Sequence, residues 1–404
     1  LWQDLYKVAA ENNATVHFVD KYDRDFHSPS ENNLNDWRVD RYSLDGIYDG
    51  DNNSNAEEAD INKAATVVSE YIKAFVSRLG GVGNGHYVAI LGGDAIIPHY
   101  RSFDSTGNAA KYSHISNGTI FATDTEHNYF PTDTFYQEID GVGNWKEGDV
   151  ESIFIGRVVG TDLPSTSRLL LSSNRRVSKS ANAVKVENAD RDGTLDAYES
   201  LLDDNNFNVI KEIDGTNLDT EPESLLVEKD KRWVDEAEWD DFDDLFSGKV
   251  DDVNGFDLIR FKVHGNNEGL YSSNGDDQHA YMIGNNISKR ASSIQEEFLD
   301  TAPIFIIDAC LVGQADGTDD DIFINSLLGT NVGGVVASPL VTYPYGFGNM
   351  TKYNDNYTSA LISEGTTGKA LNKTYREFQK ILDRDDYHRR LLNLYGLPWA
   401  KVTL

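Results

Sequence analysis

Short runs of continuous apolar residues alternate with longer helical segments along most of the chain, and this alternation limits the fold more than any other feature. The apolar runs include "HYVAIL" (86–91), "SIFIGRVV" (152–159), "LIRFKV" (258–263), "PIFIID" (303–308) and "GGVVAS" (333–338). A strand that is apolar at nearly every position is buried on both faces, which is typical of a parallel sheet covered by helices. The pattern predicts an α/β protein with mostly parallel sheets flanked by helices.

The chain is longer than a single hydrophobic core usually supports, because it has 404 residues. We therefore expect two side-by-side α/β subdomains, an N-terminal one over 1–180 and a C-terminal one over 181–404. The spacing of apolar residues also predicts a strand over 14–20, an acidic helical stretch over 223–247 and one long helix near the C-terminus.

The composition is strongly acidic, with 67 Asp and Glu against 36 Lys and Arg, a formal net charge of −31. Acidic residues spread along the whole chain repel phosphates and anionic lipids, so we expect no nucleic-acid partner. No apolar run reaches the roughly 18 residues of a membrane span. Dense surface carboxylates are also typical of proteins that work in high salt, where charges are screened over about 3 Å at 1 M.

Two predicted strands end on side chains that can do chemistry. "FDLIRFKVHG" ends at His264 and Gly265, and "APIFIIDAC" ends at Cys310, which is the only cysteine of the chain. A thiol becomes a strong nucleophile when an imidazole takes its proton. The backbone N–H groups of Gly265 and Cys310 would then form an oxyanion hole. The alternative is an inert buried thiol next to an ordinary strand-end histidine.

Several short segments follow one another in an order that is specific when taken together. They are "YVAILGGDAIIP" (87–98), "TDTFYQEIDG" (132–141), "VESIFIGRVVG" (150–160), "VHGNNEG" (263–269), "PIFIIDACLVG" (303–313) and "LLNLYGLPWAKV" (391–402). This series resembles the gingipain family of cysteine peptidases, in the clan that also contains caspases, legumains and clostripain. The resemblance covers nearly the whole chain.

The resemblance implies a caspase-like α/β fold and a cysteine endopeptidase that cleaves proteins or peptides through a thioester, with no catalytic cofactor. Cys310 would attack the peptide carbonyl, and His264 would protonate the leaving amine. The alternative is a surface or binding protein that kept the fold and lost activity. The acidic segment "LVGQADGTDDD" after Cys310 favours that alternative, because nearby negative charge disfavours a thiolate.

A catalytic imidazole usually needs a third group that fixes its tautomer. In the gingipain family this group is an acid at the end of the strand that opens the second subdomain, and "AVKVE" places Glu187 there. Asp308, which strand alternation places on the same face as Cys310, is a lesser alternative.

The segment after Glu187, "NADRDGTLDAYE" (188–199), allows two roles. Its spacing fits a calcium-binding EF-hand loop, which predicts a structural Ca²⁺ site. The predicted ligands are Asn188, Asp190, Asp192, Thr194, Asp196 and Glu199. In the gingipain family an acid in this region instead binds the side chain before the scissile bond, so Asp190 and Asp192 would select Arg or Lys. The two roles exclude each other.

The sequence departs from the gingipain pattern in two places. Leu397 replaces the usual Asp of the C-terminal Gly-Asp-Pro motif, a change that we expect to affect a turn rather than the chemistry. The family also has a strand before the first helix, which this sequence lacks, so the N-terminal subdomain is expected to be without its first strand. Asn-x-Ser/Thr motifs and the absence of an initial Met favour an exported protein, secreted or at the cell surface.

Overall fold

The structure is a computed structural model that describes most of the predicted strands and helices. The described residues are 1–17, 58–78, 85–93, 97–103, 129–137, 153–174, 182–187, 196–205, 208–214, 257–266, 268–271, 280–283, 287, 295, 301–313, 315, 322–339, 350–381 and 392–401.

Helices and strands alternate as the sequence predicts. The helices are α1 (Trp2–Glu11), α2 (Glu58–Arg78), α3 (Leu163–Ser173), α4 (Asp196–Asp204), α5 (Phe323–Leu328), α6 (Met350–Glu364) and α7 (Thr367–Ile381). The strands of the first half are β1 (His86–Leu91), β2 (Tyr100–Phe103), β3 (Tyr129–Thr132) and β4 (Ile153–Val158), with a 3-10 turn at Thr134–Gln137. The strands of the second half are β5 (Asn182–Glu187), β6 (Asn208–Asp214), β7 (Leu258–Lys262), β8 (His264–Gly265), β9 (Gly269–Tyr271), β10 (Ala280–Ile283), β11 (Ile304–Asp308), β12 (Gly334–Ala337) and β13 (Asn393–Tyr395).

The main sheet has eight described strands in the order β1-β4-β13-β12-β11-β7-β5-β6. Every neighbouring pair is parallel except β12 and β13, which are antiparallel. The sheet therefore consists of two parallel blocks that run in opposite directions, β1-β4-β13 and β12-β11-β7-β5-β6. The carboxyl ends of the two blocks lie at opposite edges of the sheet.

The core explains why the strands are apolar at consecutive positions. In β11, Ile304 and Ile306 pack into the hydrophobic cluster under α6 and α7, whereas Phe305 and Ile307 pack into the cluster on the other face. All four are at most 3% exposed. Burying a side chain of this size contributes about 1.5–3 kcal/mol. The predicted α/β architecture, with a mostly parallel sheet flanked by helices, is confirmed.

The C-terminal region differs from the prediction of one long helix. The chain leaves α6 at Gly365, whose φ of 73° suits glycine, and begins α7 two residues later. It then adds β13, a strand too short for its alternation to be recognised in the sequence. The predicted strand over 14–20 is also not formed in its described part, 14–17, and the stretch 223–247 lies outside the described residues.

The division at residue 180 stays a prediction. β13 comes from the second half of the sequence but runs with β1 and β4 of the first half, which joins the two blocks into one sheet. Among the described residues, no helix is long and apolar enough to cross a lipid bilayer.

Candidate active site

The strands that lead to His264 and Cys310 are direct neighbours in the sheet. β7 and β11 pair in parallel, with Lys262 opposite Asp308 at their carboxyl ends. His264 and Cys310 each follow two residues later, and the backbone N–H of Val263 donates to the carbonyl of Asp308 at 3.2 Å. The predicted side-by-side strand ends are therefore present. We call this side of the sheet the Cys310 edge.

The chain bends away from the main sheet just after β7. Val263 is fully buried at the bend, and β8 then pairs with β9 in a small antiparallel sheet. The side chain of Asn266 closes the turn between them, because its Oδ1 accepts from the N–H groups of Glu268 at 2.8 Å and Gly269 at 3.0 Å. This turn leaves His264 half-buried at the Cys310 edge, where a substrate can reach it.

The turn after β11 holds Cys310 in a half-buried position. Leu311 has a φ of 62°, in the left-handed region that non-glycine residues rarely adopt. Gly313 then anchors the turn, since its N–H donates to the Ser338 carbonyl at 2.8 Å and its carbonyl accepts from the Tyr395 hydroxyl. This turn, which we call the Cys310 turn, is thus fixed to the end of β12 and to β13.

Gly265 lies directly against the Cys310 turn. A Cβ at this position would be 2.7 Å from Val312 Cγ1 and 2.9 Å from both Ala309 Cβ and the Cys310 carbonyl oxygen. Only glycine allows this approach without displacing the turn. The sequence analysis linked Gly265 to the approach of a substrate, and the structure adds that it accommodates the turn that carries Cys310.

The structure places Glu187 at the same edge but describes only its backbone. It is the last residue of β5 and lies opposite Lys262 in the register of β5 and β7. Asp308, the lesser alternative for orienting the imidazole, accepts a hydrogen bond from Thr351 at 3.0 Å and none from His264. The role of Glu187 stays a prediction.

The predicted calcium and specificity residues fall largely outside the described part of the chain. Asn188, Asp190, Asp192 and Thr194 are not described, while Asp196 and Glu199 lie in the first turn of α4. Within the described ranges, no group of three or more His, Cys, Asp or Glu side chains is placed to hold a metal ion. Both roles of this segment stay predictions.

Buried charges beneath the Cys310 edge were missed by the sequence analysis. Lys262 and Asp308 are each 1% exposed, and Arg260 is completely buried. Lys262 donates to the Thr351 hydroxyl, and Arg260 donates to Asp355 Oδ1 at 2.5 Å. The signal was present in "LIRFKV", because two cations on one face of an otherwise apolar strand need buried partners.

Leu397 lies at the sheet edge opposite to Cys310. The turn that contains it follows β13, whose carboxyl end adjoins the amino end of β12. Leu397 is 1% exposed, and its carbonyl accepts from the Thr367 hydroxyl at 3.0 Å. Its position matches the expectation that this departure from the gingipain motif affects a turn.

The comparisons with known proteins point to one family. The model of peptidase family C25 matches residues 24–403. A crystal structure of gingipain R, an Arg-specific cysteine proteinase, is similar with a TM-score of 0.52 and 14% identity, over 84% of this chain and 68% of that chain. No curated protein sequence matches the chain.

The chain belongs to peptidase family C25, the gingipain family. The predicted resemblance is therefore confirmed, and the similarity to gingipain R shows the shared caspase-like fold. Membership of this family supports a cysteine peptidase, a hydrolase whose substrates are proteins or peptides.

Proposed function

We propose that the protein is a cysteine endopeptidase that uses Cys310 and His264 as a catalytic dyad. The observation that carries this proposal is the pairing of β7 with β11, which brings the ends of the two strands together at one edge of the sheet. Cys310 and His264 are both half-buried there, and a substrate needs such partial exposure at both groups.

The reaction would begin with transfer of the Cys310 proton to His264. The thiolate sulfur then forms a bond to the peptide carbonyl carbon, and the carbonyl oxygen becomes an oxyanion held by the N–H groups of Gly265 and Cys310. His264 returns the proton to the amine nitrogen as the C–N bond breaks, which leaves a thioester on Cys310. Water, deprotonated by His264, hydrolyses the thioester and restores the thiol.

Labelling by a peptide acyloxymethyl ketone tests the dyad. Since the chain has one cysteine, an active enzyme is labelled at Cys310 alone, and only while folded. Cys310→Ala should remove labelling and peptide hydrolysis, and His264→Ala should lower hydrolysis at least 100-fold, the scale expected for loss of a general base. His86→Ala is the matched control, because His86 also lies at a strand end, the amino end of β1, but the strands β4, β13 and β12 separate β1 from β11.

A non-catalytic binding protein is the second candidate, because the segment after Cys310 is acidic and disfavours a thiolate. It predicts no labelling of the folded protein, or equal labelling before and after denaturation. Wild-type hydrolysis in either dyad variant would also refute the proposed mechanism.

For specificity, we propose that Asp190 or Asp192 selects Arg or Lys before the scissile bond, through a charge-assisted hydrogen bond. Their place just after β5, which ends at the Cys310 edge, supports this role. Asp192→Asn should then lower turnover of basic substrates and leave labelling by a neutral probe unchanged. If EDTA and Asp192→Asn instead cause the same loss of stability, and basic substrates are not preferred, the segment is a calcium site.

We further propose that the protein acts outside the cell, on the basis of its Asn-x-Ser/Thr motifs. Fractionation of the source cells tests this location. Recovery of the protein from the cytoplasm alone would contradict it.

A further inference from the structure

A buried hydroxyl connects two opposite charges directly beneath the Cys310 edge. Lys262 and Asp308 are paired in the register of β7 and β11, and the Thr351 side chain from the start of α6 lies between them. Lys262 and Asp308 are each 1% exposed and Thr351 is 4% exposed. We call these three residues the Thr351 bridge.

The hydrogen bonds of the bridge join a basic and an acidic side chain. The Thr351 hydroxyl has one proton, which it donates to Asp308 Oδ2 at 3.0 Å. The same oxygen must then accept from Lys262 Nζ. The two hydrogen bonds therefore run from the Lys262 ammonium through the Thr351 hydroxyl to the Asp308 carboxylate.

The bridge is held in place by a second set of bonds from the same strand to the same helix. Arg260 Nη2 donates to the Thr351 carbonyl at 3.1 Å, and its Nη1 donates to Asp355, one turn further along α6. Both polar side chains of β7 therefore bind the first turns of α6. Thr351 cannot move without also disturbing the contacts of Arg260.

The bridge lies one strand repeat below the proposed dyad. Lys262 precedes His264 by two residues, and Asp308 precedes Cys310 by two, a separation of about 6–7 Å along each strand. Ionisable residues also lie on the elements next to this region. They are Lys185 and Glu187 at register positions of β5, Tyr198 of α4 beneath Arg260, Arg260 itself on β7, and Asp355 of α6.

We propose that the Thr351 bridge is a positioning network for the peptidase reaction, which keeps the buried charge of Asp308 compensated beneath Cys310 and holds the two strand ends in register. This inference rests on the proposed role of Cys310. Its physical basis is that an uncompensated carboxylate at this distance would disfavour a thiolate, whereas an uncompensated ammonium would favour one. Compensation by Lys262 removes this influence of Asp308.

The pH dependence of Cys310 alkylation by iodoacetamide measures the proposed effect directly, because the thiolate reacts and the chain has one cysteine. Thr351→Val removes the hydroxyl at nearly constant volume and should raise the alkylation midpoint by about one pH unit. Thr351→Ser keeps the hydroxyl and should restore the wild-type midpoint. Thr358→Val is the matched control, since Thr358 is a buried residue of the same helix whose hydroxyl binds only the Asn354 carbonyl, at 2.9 Å.

Changes of charge give a signature that a purely structural role would not produce. Lys262→Met removes the buried positive charge and should raise the midpoint, whereas Asp308→Asn removes the buried negative charge and should lower it. The double variant carries neither charge and should return within about 0.3 pH units of the wild type, less than the shift of about one unit expected from a nearby charge. If Lys262→Met does not fold, the Thr351→Val and Thr351→Ser pair still decides the question.

The inference is overturned if the single charge variants move the midpoint in the same direction, or if Thr351→Val and Thr358→Val give the same midpoint. These outcomes are separate from failure of the proposed function. A wild type that is alkylated normally but hydrolyses no peptide refutes the peptidase proposal, and the shifts of the midpoint can still be measured in it.

Discussion

Two regions within the described part of the chain bury positive charge and pair it in different ways. In the first half, the guanidinium of Arg157 on β4 is fully buried and binds Asp133 with two parallel bonds, at 2.8 and 2.6 Å. It also donates to the carbonyls of Gly92 and Ile97. In the second half, the described bridge between Lys262 and Asp308 is a single hydroxyl.

The difference lies in the groups that each charge binds. The Arg157 cluster consists of Arg157, Asp133 and the carbonyls of Gly92 and Ile97. It joins β4 to the turns that follow β1 and β3. Asp133 also donates its N–H to Asn393 of β13 at 3.0 Å, which ties the cluster to the C-terminal strand. Such pairing stabilises structure. The Thr351 bridge lies beneath the proposed nucleophile, so a change in its charges should also alter the reactivity of Cys310.

The largest expected effect comes from breaking the Arg157 cluster. Arg157→Leu leaves Asp133 buried without its cation, so we expect a loss of about 3–5 kcal/mol in the free energy of unfolding. Arg157→Lys keeps a charge but cannot form the two parallel bonds, and it should lose less. Urea denaturation measures both.

Alkylation of Cys310 in the folded fraction should be unchanged by these variants, because the cluster lies near the carboxyl ends of β1 and β4, away from the Cys310 edge. A shift of the alkylation midpoint as large as that of Thr351→Val would remove the contrast between the two regions.

The sequence was sufficient for the fold class and for the positions along the chain of β1, β4, β7, β11 and β12. Runs such as "PIFIID" are apolar on both faces, and the structure buries both faces of β11. It was not sufficient for β13, whose three residues are too few for a periodic pattern. The direction of β13 against β12 is set by tertiary pairing, which no local signal encodes.

The motifs of the first half were recognised in the sequence, but the sequence did not show which contacts they make with one another. The gingipain-like segments "YVAILGGDAIIP", "TDTFYQEIDG" and "VESIFIGRVVG" converge in space. Asp133 of the second segment binds Arg157 of the third, and Tyr136 donates to the Pro98 carbonyl of the first. Their order along the chain was visible, but their shared ion pair depends on long-range contacts.

At the candidate site, the sequence placed His264 and Cys310 at strand ends, and the register of β7 and β11 brings these ends together. It did not show the Thr351 bridge, because Thr351 lies on a helix far along the chain and carries no chemical signature of its own. Contacts of this kind require the packing of α6 onto the sheet.

An intermediate effect is expected from adding one methyl group at the Cys310 edge. Gly265→Ala would place a Cβ within 2.9 Å of three atoms of the Cys310 turn, in Ala309, Cys310 and Val312, so the turn must shift. A small displacement of a reacting group can lower turnover about 100-fold, while overpacking costs about 1–3 kcal/mol in stability. Gly93→Ala in the first half is the matched control, because its Cβ would meet only Val159 Cγ2, at an ordinary 3.5 Å. Equal kinetic parameters for the two variants would show that the close approach at Gly265 is unimportant.

The smallest expected effect concerns Asp162, an exposed carboxylate in the same half as Arg157. It caps α3, where its Oδ1 accepts from the Ser165 N–H at 2.6 Å. Burial opposes its ionisation, but hydrogen bonds from the side chain and backbone of Ser165 and the charge of Arg168 outweigh burial and lower the pKa of Asp162 below its ordinary 3.8. A lowered pKa in the folded state means that the ionised group stabilises the fold above the unfolded pKa and loses this contribution as the pH falls through the folded value.

Asp162→Ala should therefore cost about 1 kcal/mol at pH 7, the typical worth of such a cap, and less below about pH 4. Asp162→Asn, which caps without a charge, should keep most of the stability and lose the pH dependence. Urea denaturation at pH 7 and pH 3 measures both variants, and a cost for Asp162→Ala that grows as the pH falls would contradict the assigned direction.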